Sequence, residues 1–413
     1  MASDSTLQRI GVVDQSATGW FAATIYSRMI LHSLSAACAQ TGIELYFFSP
    51  PGSDERGING SATKSIALDS VDYLPGEQSF RKFARLPVKT RALRGEHRLR
   101  RLLRLAHKSD LFATAHKHQI DVLLPLLDVA PWNVAEKTIG WVPDFQHVRL
   151  PEFFPASELQ RRDETIQRLA EKATLVMLSS QAARDDFAAF APAHVGKARV
   201  VPFPSLLAFE PPAGDPTGSW KKFKLPEKFA LVANQFWAHK NHAVVVRALA
   251  QLSGSGLNIP VVMTGLPADQ RDPLNKNFSS LLQEIASAGL NQQIIILGLV
   301  PYSDLIDLMR TATLIIQPSR FEGWSTIVQD AKALGRPVLC SDIPVHREQA
   351  PGAVGFFACD DAAALAGLLS AHWQQLTAGP DPSLEQEALS AEREFAQHHG
   401  QALLEICREA CGR

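Results

Sequence analysis

Residues 317–348 read QPSRFEGWSTIVQDAKALGRPVLCSDIPVHRE, and the reading of this stretch decides the fold. It follows a short β-branched run, Thr313-Leu314-Ile315-Ile316, suited to a buried strand. A polar loop comes next, Ser319-Arg320-Phe321-Glu322-Gly323-Trp324. The pattern then predicts a helix with Ser325 or Thr326 as N-cap, and Gln329 suits a capping box with Thr326. Gly335 ends that helix, with Pro337 just beyond, and Pro337 to Cys340 reads as another buried strand. A strand, a tight loop and a helix N-terminus make an anion site, because the first helical N–H groups lack internal partners. Gly323 lets the backbone approach a ligand closely. Glu322 and Asp330 bring carboxylates to the same place, where they accept hydrogen bonds from hydroxyls. Phosphate on amides and hydroxyls on acids together describe a nucleotide sugar. The plainer alternative is an acid stabilising its own helix by roughly 0.3–1 kcal/mol, with no ligand.

The stretch resembles the donor-site signature of retaining glycosyltransferases of family 4, among the group 1 glycosyltransferases, in which two glutamates are separated by seven residues. Here the pair is Glu322 and Asp330, and the aspartate is one methylene shorter. The continuation ALGRPVLCSDIPVHREQ resembles the family's as well.

Length and composition agree with a soluble globular chain. Its 413 residues suit two or three domains, with 46% hydrophobic and 20% charged residues. A net charge of -1 gives no whole-protein case for nucleic-acid binding. No apolar run reaches the ~18–20 residues a spanning helix needs, and MASDSTLQRIGVVD lacks the pattern of a signal peptide. The five cysteines, Cys38, Cys340, Cys359, Cys407 and Cys411, form no framework, which fits a reducing cytoplasm. Cys407 and Cys411 lack an accompanying ligand set, so no metal site is expected.

The first half alternates strand and helix. Ile10 to Val13 reads as a strand, Trp20 to Gln40 as a helix and Ile43 to Phe48 as a strand, so a parallel sheet is expected. The loop with Gly19 lies where such sheets bind ligands, and it resembles the family's first loop. It is not GxGxxG, so dinucleotide binding is not supported. Residues 50 to 80 read as a long loop. Residues 81–108 then carry eleven basic side chains against one acid, Glu96, with leucines interleaved. Three readings stand open: a basic amphipathic helix on an anionic membrane, a site for a phosphorylated acceptor, or a solvated helix face. Strands at 121–125 and 138–142 precede Pro143-Asp144-Phe145-Gln146-His147, which resembles the family's acceptor-side His-Asp loop. Proline replaces that histidine, Asp144 keeps the acid, and His147 stands near; the alternative for Asp144 is a turn cap. A helix from Ala156 to Lys172, a strand at 175–178, a helix from Gln181 to Phe190 and a strand at 199–201 complete this half.

Residues 202–226, dense in Pro and Gly, read as an interdomain linker. A strand at 229–234 and the loop QFWAHKNH follow. Lys240 stands at a helix N-terminus, where a diphosphate would sit. The family carries a lysine there and often an arginine five residues earlier, which is Gln235 here. The resemblance also implies that the backbone of Leu299 and Val300 meets the base, and that the final helix crosses back onto the first domain. Phe395, Leu403 and Ile406 are its expected packing face.

The fold class expected is therefore α/β of GT-B type, two Rossmann-like domains facing each other across a cleft. The boundaries expected are 1–203 for the acceptor-side domain, 204–226 for the linker, 227–380 for the nucleotide-sugar domain and 381–413 for the returning helix. The resemblance implies a retaining hexosyltransferase using a nucleotide-diphosphate sugar, with UDP- or GDP-sugar as donor and a glycan or lipid-linked acceptor. Cell-surface polysaccharide or glycolipid assembly, a cytoplasmic location and peripheral contact with the inner membrane face go with it. Lys240, Glu322, Asp144 and His147 are the expected catalytic residues. The expected donor contacts are Gly19, Lys240, Leu299, Val300, Glu322, Gly323, Trp324, Ser325, Thr326 and Asp330. No Asp-x-Asp triplet occurs, so neither a metal nor another cofactor is expected. Two rivals stand beside this reading: a nucleotide-sugar epimerase or phosphorylase on the same architecture, and a glycan-binding protein without turnover.

Overall fold

The computed structural model describes residues 7–15, 21–49, 63–68, 110–129, 137–269 and 271–412. The first half supplies strands β1 (Arg9–Val13), β2 (Glu44–Ser49), β3 (Thr63–Ala67), β4 (Val122–Leu126), β5 (Lys137–Val142), β6 (Leu175–Leu178) and β7 (Ala198–Val200). Its helices are α1 (Phe21–Cys38), α2 (Asp110–Lys117), the single turn α3 (Gln146–Arg149), α4 (Ala156–Lys172) and α5 (Gln181–Phe190). The chain then passes through the short helix α6 (Thr217–Lys222). The second half runs β8 (Ala230–Ala233), α7 (His242–Gly254), β9 (Val261–Thr264), α8 (Lys276–Ser287), β10 (Ile294–Gly298), α9 (Tyr302–Thr311), β11 (Leu314–Gln317) and α10 (Thr326–Ala333). It ends with β12 (Val338–Ser341), α11 (Pro344–Gln349), β13 (Gly355–Phe357), α12 (Ala362–His372) and the long α13 (Pro382–Gly412).

Two sheets result. One has the order β3-β2-β1-β4-β5-β6-β7 and the other β10-β9-β8-β11-β12-β13. Every pairing between these strands is parallel. Strands covered on both faces need apolar residues at successive positions, and these have them. On β8, Ala230 and Val232 enter one core layer, while Leu231 and Ala233 enter the opposite one. On β6, Leu175 and Met177 divide from Val176 and Leu178 in the same way. In each sheet the strand order reverses beside the first strand, at β1/β4 and at β8/β11. The connections on either side of such a reversal leave in opposite directions and open a crevice at the C-terminal strand ends. The β8 and β11 loops, which carry Lys240 and Glu322, therefore meet.

The last helix ties the halves together. Leu389 lies in a core layer of the second sheet, whereas Leu403, Leu404, Ile406, Cys407 and Ala410 join α1 in a core layer of the first. Each such buried Leu or Ile contributes about 1.5–3 kcal/mol. The packing face differs from the expected one, because Phe395 is only half-buried and Leu404 and Cys407 take its place. His399 bonds Ser33 on α1 at 2.8 Å. Gly400 sits so close that a Cβ would overlap the Ser33 carbonyl.

Three local expectations need correction. The 50–80 loop contains β3, an edge strand whose sequence, TKSIA, is too polar to announce itself. The linker is built rather than loose: Leu206, Leu207 and Leu225 are buried, and α6 docks Ser219 onto Asp304 at 2.8 Å. On α10, Ser325 is the N-cap, accepting from the Val328 N–H. Gln329 closes no capping box, because its amide donates to Glu392 at 2.9 Å.

Candidate active site

Around the β8/β11 reversal the loops brace one another. Asn234 donates to Gln317 Oε1 at 3.0 Å, joining the two strand ends. The Arg320 N–H donates to the His239 carbonyl at 2.8 Å, joining the two loops. Asn241 has a left-handed backbone, φ 57°, which asparagine tolerates better than most residues. Its amide donates to the carbonyls of Pro318 and Cys359 at 3.1 and 2.6 Å. This turn sets Lys240 at the mouth of α7.

Lys240 and Glu322 meet there. Lys240 Nζ lies 2.6 Å from Glu322 Oε1, and Gln317 Nε2 donates to the same oxygen at 2.9 Å. The two side chains keep 16% and 10% of their surface, so the pair is largely desolvated but still reachable. A flexible ammonium and a carboxylate held this way suit a ligand carrying both negative charge and hydroxyl groups. His239, next to Lys240, is buried. Burial first, and then the Lys240 charge, hold its imidazole well below its usual range, so it is neutral.

Opposite Glu322 stands the first half of the chain. Gly323 packs so tightly against it that an added Cβ would overlap the Pro143 carbonyl oxygen, and would lie 3.1 Å from Asp144 Cβ. Asp144 Oδ1 accepts from the Gln146 N–H at 3.0 Å, an Asx-type turn, and lies 3.7 Å from Arg162. Asp144 therefore caps its own turn and also faces Gly323.

Several expected contacts are placed differently. His147 is not on the cleft: it is 2% exposed, packed near Phe145, Phe154 and Phe190, and its Nε2 pairs with Asp163 at 3.1 Å. Burial lowers its imidazole pKa. Trp324 turns to the first half, its indole donating to the Phe203 carbonyl at 3.1 Å. The Ser325 N–H is taken by Gln349 Oε1 at 3.1 Å, and Gln349 Nε2 donates back to the Ser325 carbonyl at 2.7 Å. The amides of Gly323, Trp324 and Thr326 have no hydrogen-bond partner among the described residues. Leu299 is 66% exposed and Val300 half-buried, on the loop after β10. Gly19 and the basic segment 81–108 lie outside the described residues.

Asp330 departs furthest. The carboxyl expected to meet a ribose is instead buried behind the cleft, where Ser205 Oγ donates to it at 2.6 Å. Burial, and to a lesser extent the Glu392 charge, push its pKa up to about 7, against the Ser205 hydrogen bond. Glu392, from α13, accepts from the Ser205 N–H at 2.6 Å and from Gln329. A continuous polar chain thus runs from the Ser325 backbone through Gln349, Gln329 and Glu392 to Ser205, where the chain crosses between the sheets. Sequence reasoning missed Ser205 and Glu392, which sit in no motif, and Gln317, which opens the deciding stretch but was given no role. Gln349 ends the stretch that resembles the family and was within reach.

Residues 219–370 match the family of glycosyl transferases group 1. A D-inositol 3-phosphate glycosyltransferase from Catenulispora acidiphila is 28% identical over 150 residues, which span 35% of this chain and 35% of that protein. The two have about a third of their length in common. Many solved structures resemble nearly the whole chain, among them the following three. The sucrose-phosphate synthase of Thermosynechococcus elongatus has a TM-score of 0.64 at 16% identity, covering 97% of both chains. A glycosyltransferase of Rickettsia africae has 0.62 at 18%, covering 98% of this chain and 99% of that one. HepE of Anabaena, in complex with UDP and glucose, has 0.63 at 14%, covering 97% and 99%. At such identities the likeness is one of fold. The chain thus carries a group 1 glycosyl transferase domain in residues 219–370, within a two-sheet α/β fold of GT-B type.

Proposed function

We propose that this protein transfers a hexosyl group from a nucleotide-diphosphate sugar to an acceptor hydroxyl, with retention of configuration and without a divalent metal. One observation carries the reading: the Lys240–Glu322 pair at 2.6 Å, at the reversal of the second sheet, faced by Asp144 across Gly323. Departure of a nucleoside diphosphate builds negative charge on its leaving oxygen, and that charge needs donors already in place. Lys240 supplies one, together with the amides of Gly323, Trp324 and Thr326. Glu322 takes the sugar hydroxyls. When donor binds, the ammonium is shared between phosphate and Glu322, so the carboxylate stays compensated.

The transfer forms the bond from acceptor oxygen to C1 and breaks the bond from C1 to the phosphate oxygen, on one face of the sugar. The acceptor proton passes to the departing diphosphate. The first half then needs to position the acceptor, and Asp144 does so. UDP is the nucleotide we propose, since HepE was solved with UDP and glucose on the same fold. A role in polysaccharide or glycolipid assembly at a membrane face rests on the sequence of 81–108 alone.

The test is a thermal-shift screen of UDP, GDP, ADP and dTDP, followed by transfer from the matching sugar nucleotide with and without EDTA. A ligand at 100 times its Kd raises stability by about 2.7 kcal/mol. Stabilisation by none of the four, or activity abolished by EDTA and restored by Mg²⁺, overturns the respective part of the reading. Epimerised donor appearing without any acceptor would favour the epimerase.

A further inference from the structure

Arg271 lies outside every motif and on the loop after β9, yet it reaches across the cleft. Its guanidinium sits over the Phe154 ring at 4.7 Å, and Phe154 belongs to the first half of the chain. On the same side of the cleft as Arg271, Trp237 lies 5.1 Å away, in the loop that leads to Lys240. Arg162 covers Phe154 as well, at 4.9 Å. The planar groups Arg162, Phe154, Arg271 and Trp237 thus form a run of cation–ring contacts across both halves. Arg271 Nη1 also donates to Gln146 Oε1 at 3.4 Å. Gln146 is 5% exposed, and its Nε2 has no partner among the described residues.

The loop that presents Arg271 is stiffened in advance. Asp269 accepts from the Arg271 N–H at 3.0 Å and from its Nε at 3.3 Å. The Asp272 carboxylate caps the Asn277 N–H at 2.8 Å, and the Trp237 indole donates to the Ala268 carbonyl at 3.3 Å. Arg271 is therefore oriented by its own half before it meets the other. What it meets leads to the acceptor loop: Gln146 is the residue whose N–H fixes Asp144, and Asp144 faces Gly323.

We propose that Arg271 is a positioning residue that latches the two halves together and, through Gln146, sets the Asp144 loop for the acceptor. The proposal deepens the transferase reading above and rests on it for its kinetic consequence. Its structural consequence, closure, stands apart from turnover. The guanidinium is needed for its flat, delocalised face and its fork of donors, which an ammonium does not reproduce.

The experiment uses the full chain with Arg271→Ala, Arg271→Lys and Phe154→Leu. Small-angle scattering should report an expanded particle for Arg271→Ala and Phe154→Leu, and an intermediate one for Arg271→Lys. In transfer assays, kcat/KM for the acceptor should fall about tenfold in Arg271→Ala, the size of losing one desolvated cation–ring and hydrogen-bond set. Nucleotide affinity by calorimetry should stay within about threefold, and donor hydrolysis per transfer should rise as water enters. Arg271→Lys should recover part of the acceptor term. Wild-type scattering and acceptor kinetics in Arg271→Ala overturn the proposal, and a parallel loss of nucleotide affinity places Arg271 on the donor instead. If Arg271→Ala does not fold, Arg271→Lys and Phe154→Leu decide by the same readouts. If the wild type transfers no sugar, the transferase reading fails while scattering still decides the latch.

Discussion

The two crevices of this molecule share one topology, and the side chains described around them are braced differently. Both sheets reverse strand order beside their first strand. At the second reversal the loops are short, and side chains lock them: Asn234 to Gln317, Asn241 to Pro318, Lys240 to Glu322. At the first, the described rim carries Asp144, which caps its own turn and lies 3.7 Å from Arg162. On the reading proposed above, the second crevice meets the charge of a donor with side chains already braced, and the first offers the Asp144 rim to the acceptor.

The strongest way to break that contrast is to remove its central charge. Lys240→Ala should lower transfer by at least ~100-fold, as expected for losing a stabiliser of a developing anion. Initial rates at saturating donor measure it. A loss below about threefold would mean that the second crevice does not hold the leaving group.

A smaller effect tests how closely the crevices must approach. Gly323→Ala adds one methyl at a residue whose backbone is not left-handed, so only crowding against the Pro143 carbonyl changes. The Cβ would stand 2.0 Å from that oxygen, so the halves must part by about an ångström or more, and transfer should fall on the order of 10- to 100-fold while the protein stays folded. Wild-type turnover in this variant would show that the contact is not part of the reacting geometry.

Smaller again is the effect expected on the acceptor rim. Asp144→Asn keeps the oxygen that caps the Gln146 N–H, so the turn survives while the charge goes. Transfer should fall about tenfold with nucleotide affinity within a few-fold, because the donor contacts proposed above lie across the cleft. Transfer at the wild-type rate would return Asp144 to the turn alone.

Much of this was legible in sequence, for definite reasons. Strands buried on both faces leave short apolar runs, so β8, β11 and β12 announced themselves, and Gly335, at φ 62°, marked the end of α10. Lys240 and Glu322 were legible because each follows a strand and precedes a helix. Polar β3 and the helix within the linker were not, since their stability comes from neighbours rather than from their own pattern. His147 and Asp330 show the other limit. Residue type and spacing brought both to the crevice. The side-chain partners took both away from it, Asp163 from the next long helix and Ser205 from 125 residues away in sequence.

Asp330 also gives the comparison its finest test, because it joins the second crevice to the crossing point between the sheets. Its pKa is raised from the ordinary aspartate value to about 7, chiefly by burial. Glu392, at the same place, is raised for the same reason, while Lys332 nearby is lowered by burial. The sign follows from proton binding. Between about pH 4 and pH 7 the folded chain holds a proton on Asp330 that the unfolded chain has released. The stability this group contributes is thus complete below pH 4 and is lost as pH rises toward 7. The slope from one proton is at most about 1.4 kcal/mol per pH unit. Asp330→Asn retains an oxygen for Ser205 and cannot ionise, so it should flatten the decline over that window, leaving the part due to Glu392. The expected result is a variant closer to wild-type stability at pH 5 than at pH 8, where it should be the more stable of the two. Denaturant unfolding at pH 5, 6, 7 and 8 measures this. Parallel curves for the two proteins would mean that Asp330 ionises at its ordinary pH, and that its carboxylate is solvated or paired with a cation rather than held neutral by burial behind the cleft.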